Sequence, residues 1–380
     1  MQKKLIALAI AGLASGAAFA QTNVTVYGIA DAGYVYSSGG TPSGTPGTYT
    51  FSGVNSGLLS GSRLGFKGEE ALGNGLKAIF TLEYGLSIDT NAGVGTSLAR
   101  QQFVGLSSDK LGTASFGRQY APAYNATINA DALVAANNSP LLILDTAAGN
   151  TIQGSSNARW NNSISYTSPN FSGFTGKAIY GFGESSLDGY NNASTSDNGL
   201  IGVGGNYANG PLNIDLVYQS RQNNYTGATY PIPTGYGKDI NEYFVGASYD
   251  FKMAKVFGSY QATNDKNVTN MDSDIWGLGV SVPVMAASSI SLSYAQLDWD
   301  QGYINAGAPG YTVPGVKGTN GNTNAWGLLW QTNMSKRTTV YAGYSYVDND
   351  KNATAASQIS GVGALGESNY SVMAGMRHAF

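Results

Sequence analysis

The chain has no cysteine and a single histidine in 380 residues. No disulfide can form, and no cluster of histidine, cysteine or carboxylate has the spacing of a zinc site. A Ser-His-Asp hydrolase would have to use His378, two residues from the end of the chain and without evident catalytic company. Basic residues are few and scattered, 20 against 23 acidic ones, which excludes a nucleic-acid binder. Glycine clusters are plentiful but none opens a helix, as a phosphate-binding loop must. Beyond the first 20 residues no apolar run approaches the ~18 residues that a membrane-spanning helix needs. The composition thus argues against an enzyme and calls for no metal or cofactor.

What is present is alternation. Leu212, Ile214, Leu216 and Tyr218 share one face of a segment whose other face carries Asn213, Asp215 and Gln219. Ile290, Leu292 and Tyr294 alternate in the same way with Ser289, Ser291 and Ser293. A period of two marks strands with one oily and one wet face. The pattern starts near Val24 and runs to Phe380. The 52 glycines suit tight turns, and the 25 tyrosines suit a lipid–water boundary. The five tryptophans, Trp160, Trp276, Trp299, Trp326 and Trp330, read as girdle residues of the same boundary.

At the amino terminus Lys3 and Lys4 precede the apolar run 5–13, and Ala18-Phe19-Ala20 offers small residues for cleavage. Residues 1–20 therefore read as a secretory signal peptide and 21–380 as one barrel domain. Removing Lys3 and Lys4 leaves 18 basic against 23 acidic side chains, a net charge of −5. Export without cysteine leaves stability to closure of the sheet.

Seven short turn signals recur, at 72–75, 109–112, 170–173, 209–211, 251–254, 285–288 and 335–337. Longer polar segments lie near 37–60, 89–99, 120–158, 183–197, 222–237, 264–272, 301–321 and 350–366. Seven turns and eight loops imply sixteen strands, with short turns on the periplasmic side. A strand of ~11 residues tilted near 45° spans the roughly 25 Å apolar band of such a barrel. The expected fold is therefore all-β, a 16-stranded antiparallel transmembrane β-barrel in a bacterial outer membrane. A barrel that wide leaves an aqueous channel.

Charged residues on a strand must face that channel. Arg63, Lys67 and Glu69 share one face of the segment 62–70, and Lys77, Thr81 and Glu83 share one face of 76–84. Arg159 begins a strand with Asn161, Ser163 and Ser165 on its face and Trp160, Ile164 and Tyr166 opposite. Arg100 shares a face with Gln102 but also with Val104 and Leu106, and Arg118 with Ala114 and Phe116, so alternation places neither in the channel. An arginine at position 214 is expected to meet lipid and be costly, and one at 215 to be tolerated. The longest loop, 120–158, has a mildly helical stretch at 130–136 and an apolar run at 141–144. Folded into the barrel it becomes a constriction loop carrying Asp131 and Asp145.

The segments Val24–Gly33, Ser62–Glu70, Ala114–Arg118 and Met376–Phe380 resemble the general porins of Gram-negative bacteria, beta-proteobacterial type. The resemblance implies trimeric barrels whose third loop folds inward, opposite a ladder of basic residues. It assigns the ladder to Arg63, Arg100 and Arg159, with Lys77 nearby. It also implies passive diffusion of small hydrophilic solutes and ions, and the excess of arginine at the constriction implies a weak anion preference. The alternatives are a substrate-selective channel, a barrel serving mainly as an adhesin or binding surface, and a structural barrel with a plugged lumen. Implied partners are two further copies of the chain, outer-membrane lipids and lipopolysaccharide, and the barrel-assembly machinery, which reads a terminal strand ending in Phe380. The segment 120–158 departs from the enteric branch by lacking Pro-Glu-Phe-Gly-Gly.

Overall fold

The computed structural model describes residues 23–40, 47–91, 99–183, 198–224, 234–267, 272–300, 321–351 and 353–380. The proposed signal peptide lies outside them. Six strands precede the long loop: β1 (Asn23–Gly40), β2 (Thr48–Ser56), β3 (Arg63–Gly73), β4 (Leu76–Gly85), β5 (Ala99–Ser108) and β6 (Gly112–Tyr120). After it come β7 (Arg159–Thr167), β8 (Phe174–Gly181), β9 (Leu200–Asn209), β10 (Leu212–Asn224), β11 (Lys238–Asp250) and β12 (Lys255–Asp265). The last five are β13 (Ser273–Met285), β14 (Ser288–Trp299), β15 (Thr323–Asn333), β16 (Thr338–Asn349) and β17 (Asn369–Ala379).

From β3 onward each strand pairs antiparallel with the next, and β17 returns to β1, so the sheet closes. The seventeen segments make sixteen staves. β2 pairs with the upper half of β1 (Tyr34 opposite Val54) and β3 with its lower half (Val26 opposite Phe66), end to end on one edge. Much of 37–60 is therefore strand rather than the long polar loop expected. The run Thr-Tyr-Thr-Phe at 48–51 is β-branched and aromatic, which favours an extended chain despite its polarity.

Alternation is realised in space. Leu216, Leu278 and Val104 are about 60% exposed on the outside, while Asp215, Ser291 and Gln219 are buried on the inside. The seam closes at the last residue. Gly28 and Phe380 exchange backbone hydrogen bonds, 3.1 Å each way, and a Cβ added to Gly28 would lie 2.4 Å from the Phe380 ring. Met376, Ala374, Val372 and Tyr370 continue the outward row.

Ile214 lies close to the turn at 210–211, whereas Leu216, two residues farther along β10 on the same face, sits deeper in the apolar band. Leu216→Arg should destabilise the inserted barrel by about 2–4 kcal/mol, the cost of a cation at mid-depth. Urea-induced unfolding in vesicles measures it, and unchanged stability would contradict the orientation. Arginine at 215, which alternation alone would tolerate, is expected to be costly instead. Asp215 faces inward but is covered, its carboxylate accepting from Asn129, Asn206 and Asn213.

The third loop packs on the inner wall. It holds α1 (Pro122–Asn129), α2 (Pro140–Ala148) and a 3-10 turn (Ser156–Ala158). The helical expectation for 130–136 is not met. Asp131 accepts from the backbone N–H groups of Leu133 (2.9 Å) and Ala135 (2.7 Å), and Val134 and Ala135 take positive φ, which together break helical continuity. The run 141–144 instead falls in α2, started by Ser139 and Pro140 and stopped by Gly149 at φ 69°. It is buried against Ile275, Leu297, Trp299, Val347 and Ala355. Glycines admit the loop: Cβ atoms on Gly246, Gly279 and Gly327 would come within 2.6 Å of Ala130, Ala132 and Pro140. Trp160 and Trp299 are buried inside the wall and are not girdle residues; Trp326 and Trp330 are exposed outside as expected.

Two further segments fold in that alternation did not announce. Residues 57–62 turn inward between β2 and β3, with Leu59 and Ser60 donating backbone hydrogen bonds to Asp31 Oδ2. The last loop is held by Asn349 and Asn369, whose amides both donate to the Ala355 carbonyl.

Candidate functional site

Between the inner loop and one side of the wall lies an open space of about 520 Å³, lined by Gly57, residues 59–63 and 85–87, Asp89, Arg100, Tyr124, Asn137 and Arg159. Three guanidinium groups converge on it. Arg63, at the start of β3, donates from Nε to the Gly61 carbonyl (3.0 Å). Arg100 donates from Nε to Glu83 Oε1 (2.8 Å) and from Nη2 to the hydroxyls of Tyr120 (3.2 Å) and Tyr124 (3.3 Å). Arg159 sits over the rings of Tyr120 and Tyr124, 5.7 and 5.4 Å from their centroids. Those two rings stack 3.7 Å apart, 6° from parallel.

Register explains why the sequence left Arg100 ambiguous. Glu83 pairs with Gln101, but the next residue, Tyr84, pairs with Ala99, so Arg100 is the extra residue of a β-bulge. A bulge re-aims one side chain and breaks the count of two. Arg100 therefore points inward although Val104 and Leu106 on the same strand point to lipid. Arg118, opposite Gln102, follows the alternation as expected and bonds Asn161 and the Arg159 carbonyl. A second irregularity, between Gly117 and Gln119, with Asn162 at φ 44°, puts Trp160 on the inner face with Ser163. The expected pairing of Trp160 with Ile164 and Tyr166 fails for that reason.

Three of the proposed residues do not join this space. Lys77 is exposed beside the short turn after β3 and pairs with Glu69 at 3.1 Å. Six residues of strand separate it from Glu83, about 20 Å. Asp131 is buried in the loop, occupied by Leu133, Ala135 and Ser139 Oγ. Asp145 is buried in α2; the Gln261 amide, turned with its nitrogen toward the Ile152 carbonyl, donates to Asp145 Oδ1 at 3.2 Å. The carboxylates that accompany the arginines are Glu83, which also accepts from Tyr27 (3.0 Å) and Tyr120 (3.3 Å), and Asp89. Glu83 was legible as inward-facing in the alternation of β4, but nothing in one strand's sequence paired it with Arg100.

Burial drives the Asp145 carboxyl well above the ordinary carboxylate range, with Asp131 and Glu242 adding repulsion. A raised acid stabilises the fold fully below the unfolded value and loses that contribution as pH rises through the folded one. Asp145→Asn should therefore match the parent at acid pH and melt higher at alkaline pH. Thermal unfolding followed by circular dichroism across pH checks this; parallel curves would contradict it. For Tyr124, burial opposes ionisation, but Arg100, Arg159, the hydrogen bond with Tyr120 and Arg63 together outweigh it and hold the phenol below its ordinary range.

The family model described as Gram-negative porin matches residues 7–352. The chain is 33% identical to outer membrane porin protein 32 of Delftia acidovorans, over the full length of both chains. It is 30% identical to an outer membrane porin protein of Bordetella pertussis, covering 92% of this chain and 95% of that one. The solved structure of an anion-selective porin from Comamonas acidovorans superposes with a TM-score of 0.74 at 28% identity, over 95% of this chain and 100% of that one.

Proposed function

Because this chain belongs to the Gram-negative porin family, we propose that its outer-membrane barrel is a water-filled channel for small hydrophilic solutes and ions, with a weak preference for anions. The observation that carries the preference is the convergence of Arg63, Arg100 and Arg159 on one space while Asp131 and Asp145 are buried in the loop. Two unit charges ~4 Å apart interact by about 1 kcal/mol in water, and by more where water is restricted. Acidic groups farther out at the rim are screened beyond ~8–10 Å at physiological salt. An arginine side of the throat thus favours anions several-fold without excluding cations. The anion-selective porin that this chain resembles supports the same reading.

No catalytic step is assigned. His378 is exposed near the end of β17 and bonds Thr338 Oγ1 at 2.9 Å. The working unit is read as a homotrimer set among membrane lipids and lipopolysaccharide, which light scattering of the detergent-solubilised protein tests. Phe380, outward-facing at the seam, is read as the residue that the barrel-assembly machinery recognises. Reconstitution into a planar bilayer tests the channel itself. Stepwise ohmic conductance is expected, and its absence at any protein concentration would overturn the reading.

A further inference from the structure

We propose that a recess beneath α1, on the short-turn side of the throat, is a binding subsite for short peptides with free termini. The inference rests on the channel reading above. The recess measures about 220 Å³ and lies between α1 and the inner faces of β8–β10. Lys177, opposite Thr167, lines one end; Asp215, Asn206 and Asn129 line the other, with Thr175 opposite Asn206. Asn125, one helical turn before Asn129, is exposed at its mouth.

The two ends carry opposite charges that do not neutralise each other. Lys177 Nζ donates to the Tyr120 carbonyl at 2.5 Å, and no carboxylate lies within ion-pair distance of it among the described residues. An ammonium has three donors, so two remain. Asp215 accepts from three amides, Asn213 (2.7 Å), Asn206 (2.9 Å) and Asn129 (3.1 Å), and meets no cation among the described residues. A largely buried charge held only by dipoles favours a ligand of opposite charge. A solute with a carboxylate for Lys177 and an ammonium for Asp215 satisfies both.

Separation of the charges selects the length. Lys177 is anchored at Tyr120, before α1, and Asp215 at Asn129, the last residue of α1. Eight helical residues rise about 12 Å, so the ends stand on the order of 10 Å apart. The charges of a single amino acid are too close to span this. Three extended residues cover roughly 10 Å. Asn125, which also lines the recess, then lies between the two ends, beside the peptide groups that join the termini.

The test is flux into liposomes carrying the reconstituted protein, measured against concentration for triglycine, N-acetyl-triglycine, triglycinamide and glycine. Half-saturation, rather than rate, is compared, because the throat itself favours the acetylated anion. Triglycine should saturate at about tenfold lower concentration than either blocked form, the effect of losing one charge-assisted contact. Glycine should not saturate in the same range. Lys177→Gln should abolish the difference between triglycine and triglycinamide, and Asp215→Asn the difference between triglycine and its acetylated form. Linear flux for all four solutes with the unmodified protein, or equal saturation by N-acetyl-triglycine, would overturn the subsite whether or not the variants fold. Potassium chloride conductance in the same preparation separates that outcome from failure of the channel reading.

Discussion

Glu83→Gln should yield a barrel less stable by about 3 kcal/mol and more strongly selective for anions. Glu83 and Arg100 are both buried, 3% and 7% exposed, and joined at 2.8 Å. Removing one partner of such a pair leaves an uncompensated charge, which costs about 3–5 kcal/mol where water is excluded. The adjoining throat returns some hydration to Arg100, which places the effect at the lower end. The same carboxylate accepts from Tyr27 and Tyr120, so its loss also frees the phenol that stacks on Tyr124. Guanidinium-induced unfolding reads the first effect and single-channel reversal potential the second. Unchanged stability together with unchanged selectivity would show that the pair neither braces the wall nor offsets an arginine.

The barrel was legible because a period of two is a property of single strands. Leu216 and Asp215 declare their faces from their neighbours alone, and the structure follows them. The strand number was legible from seven short turns and eight longer segments, which imply sixteen strands. The features that escaped depend on what one strand meets on another. Arg100 is re-aimed by a one-residue excess of β5 over β4, and Trp160 by an irregularity between β6 and β7. Neither mismatch exists until the strands pair. Lys77 shares an inner face with Glu83, but a face says nothing of depth, and Lys77 sits at the turn. Asp131 and Asp145 looked free because they are acids in a polar loop. Their burial follows from Asp131 capping its own backbone and from α2 packing on the inner face of β13–β16. The basic ladder itself came from family resemblance. What geometry adds is its aromatic backing, Tyr120 on Tyr124 beneath Arg159.

Reversing the charge of the two arginines that lack a carboxylate partner should have the largest functional effect. Among the described residues Arg63 bonds only a backbone carbonyl and Arg159 lies on aromatic rings, so neither replacement breaks an ion pair. Arg63→Glu combined with Arg159→Glu sets two new carboxylates beside Glu83 and Asp89, leaving Arg100 as the one arginine among the residues lining that space. Each opposite charge near 4 Å is worth about 1 kcal/mol or more, several-fold in ion distribution, and the changes act in the same direction. The decisive measurement is the zero-current potential across a potassium chloride gradient, for the parent protein and for this double variant. An arginine-lined throat requires a modest anion-selective potential in the parent and a potential of opposite, cation-selective sign in the variant. Cation selectivity in the parent, or the same potential in both proteins, would contradict it.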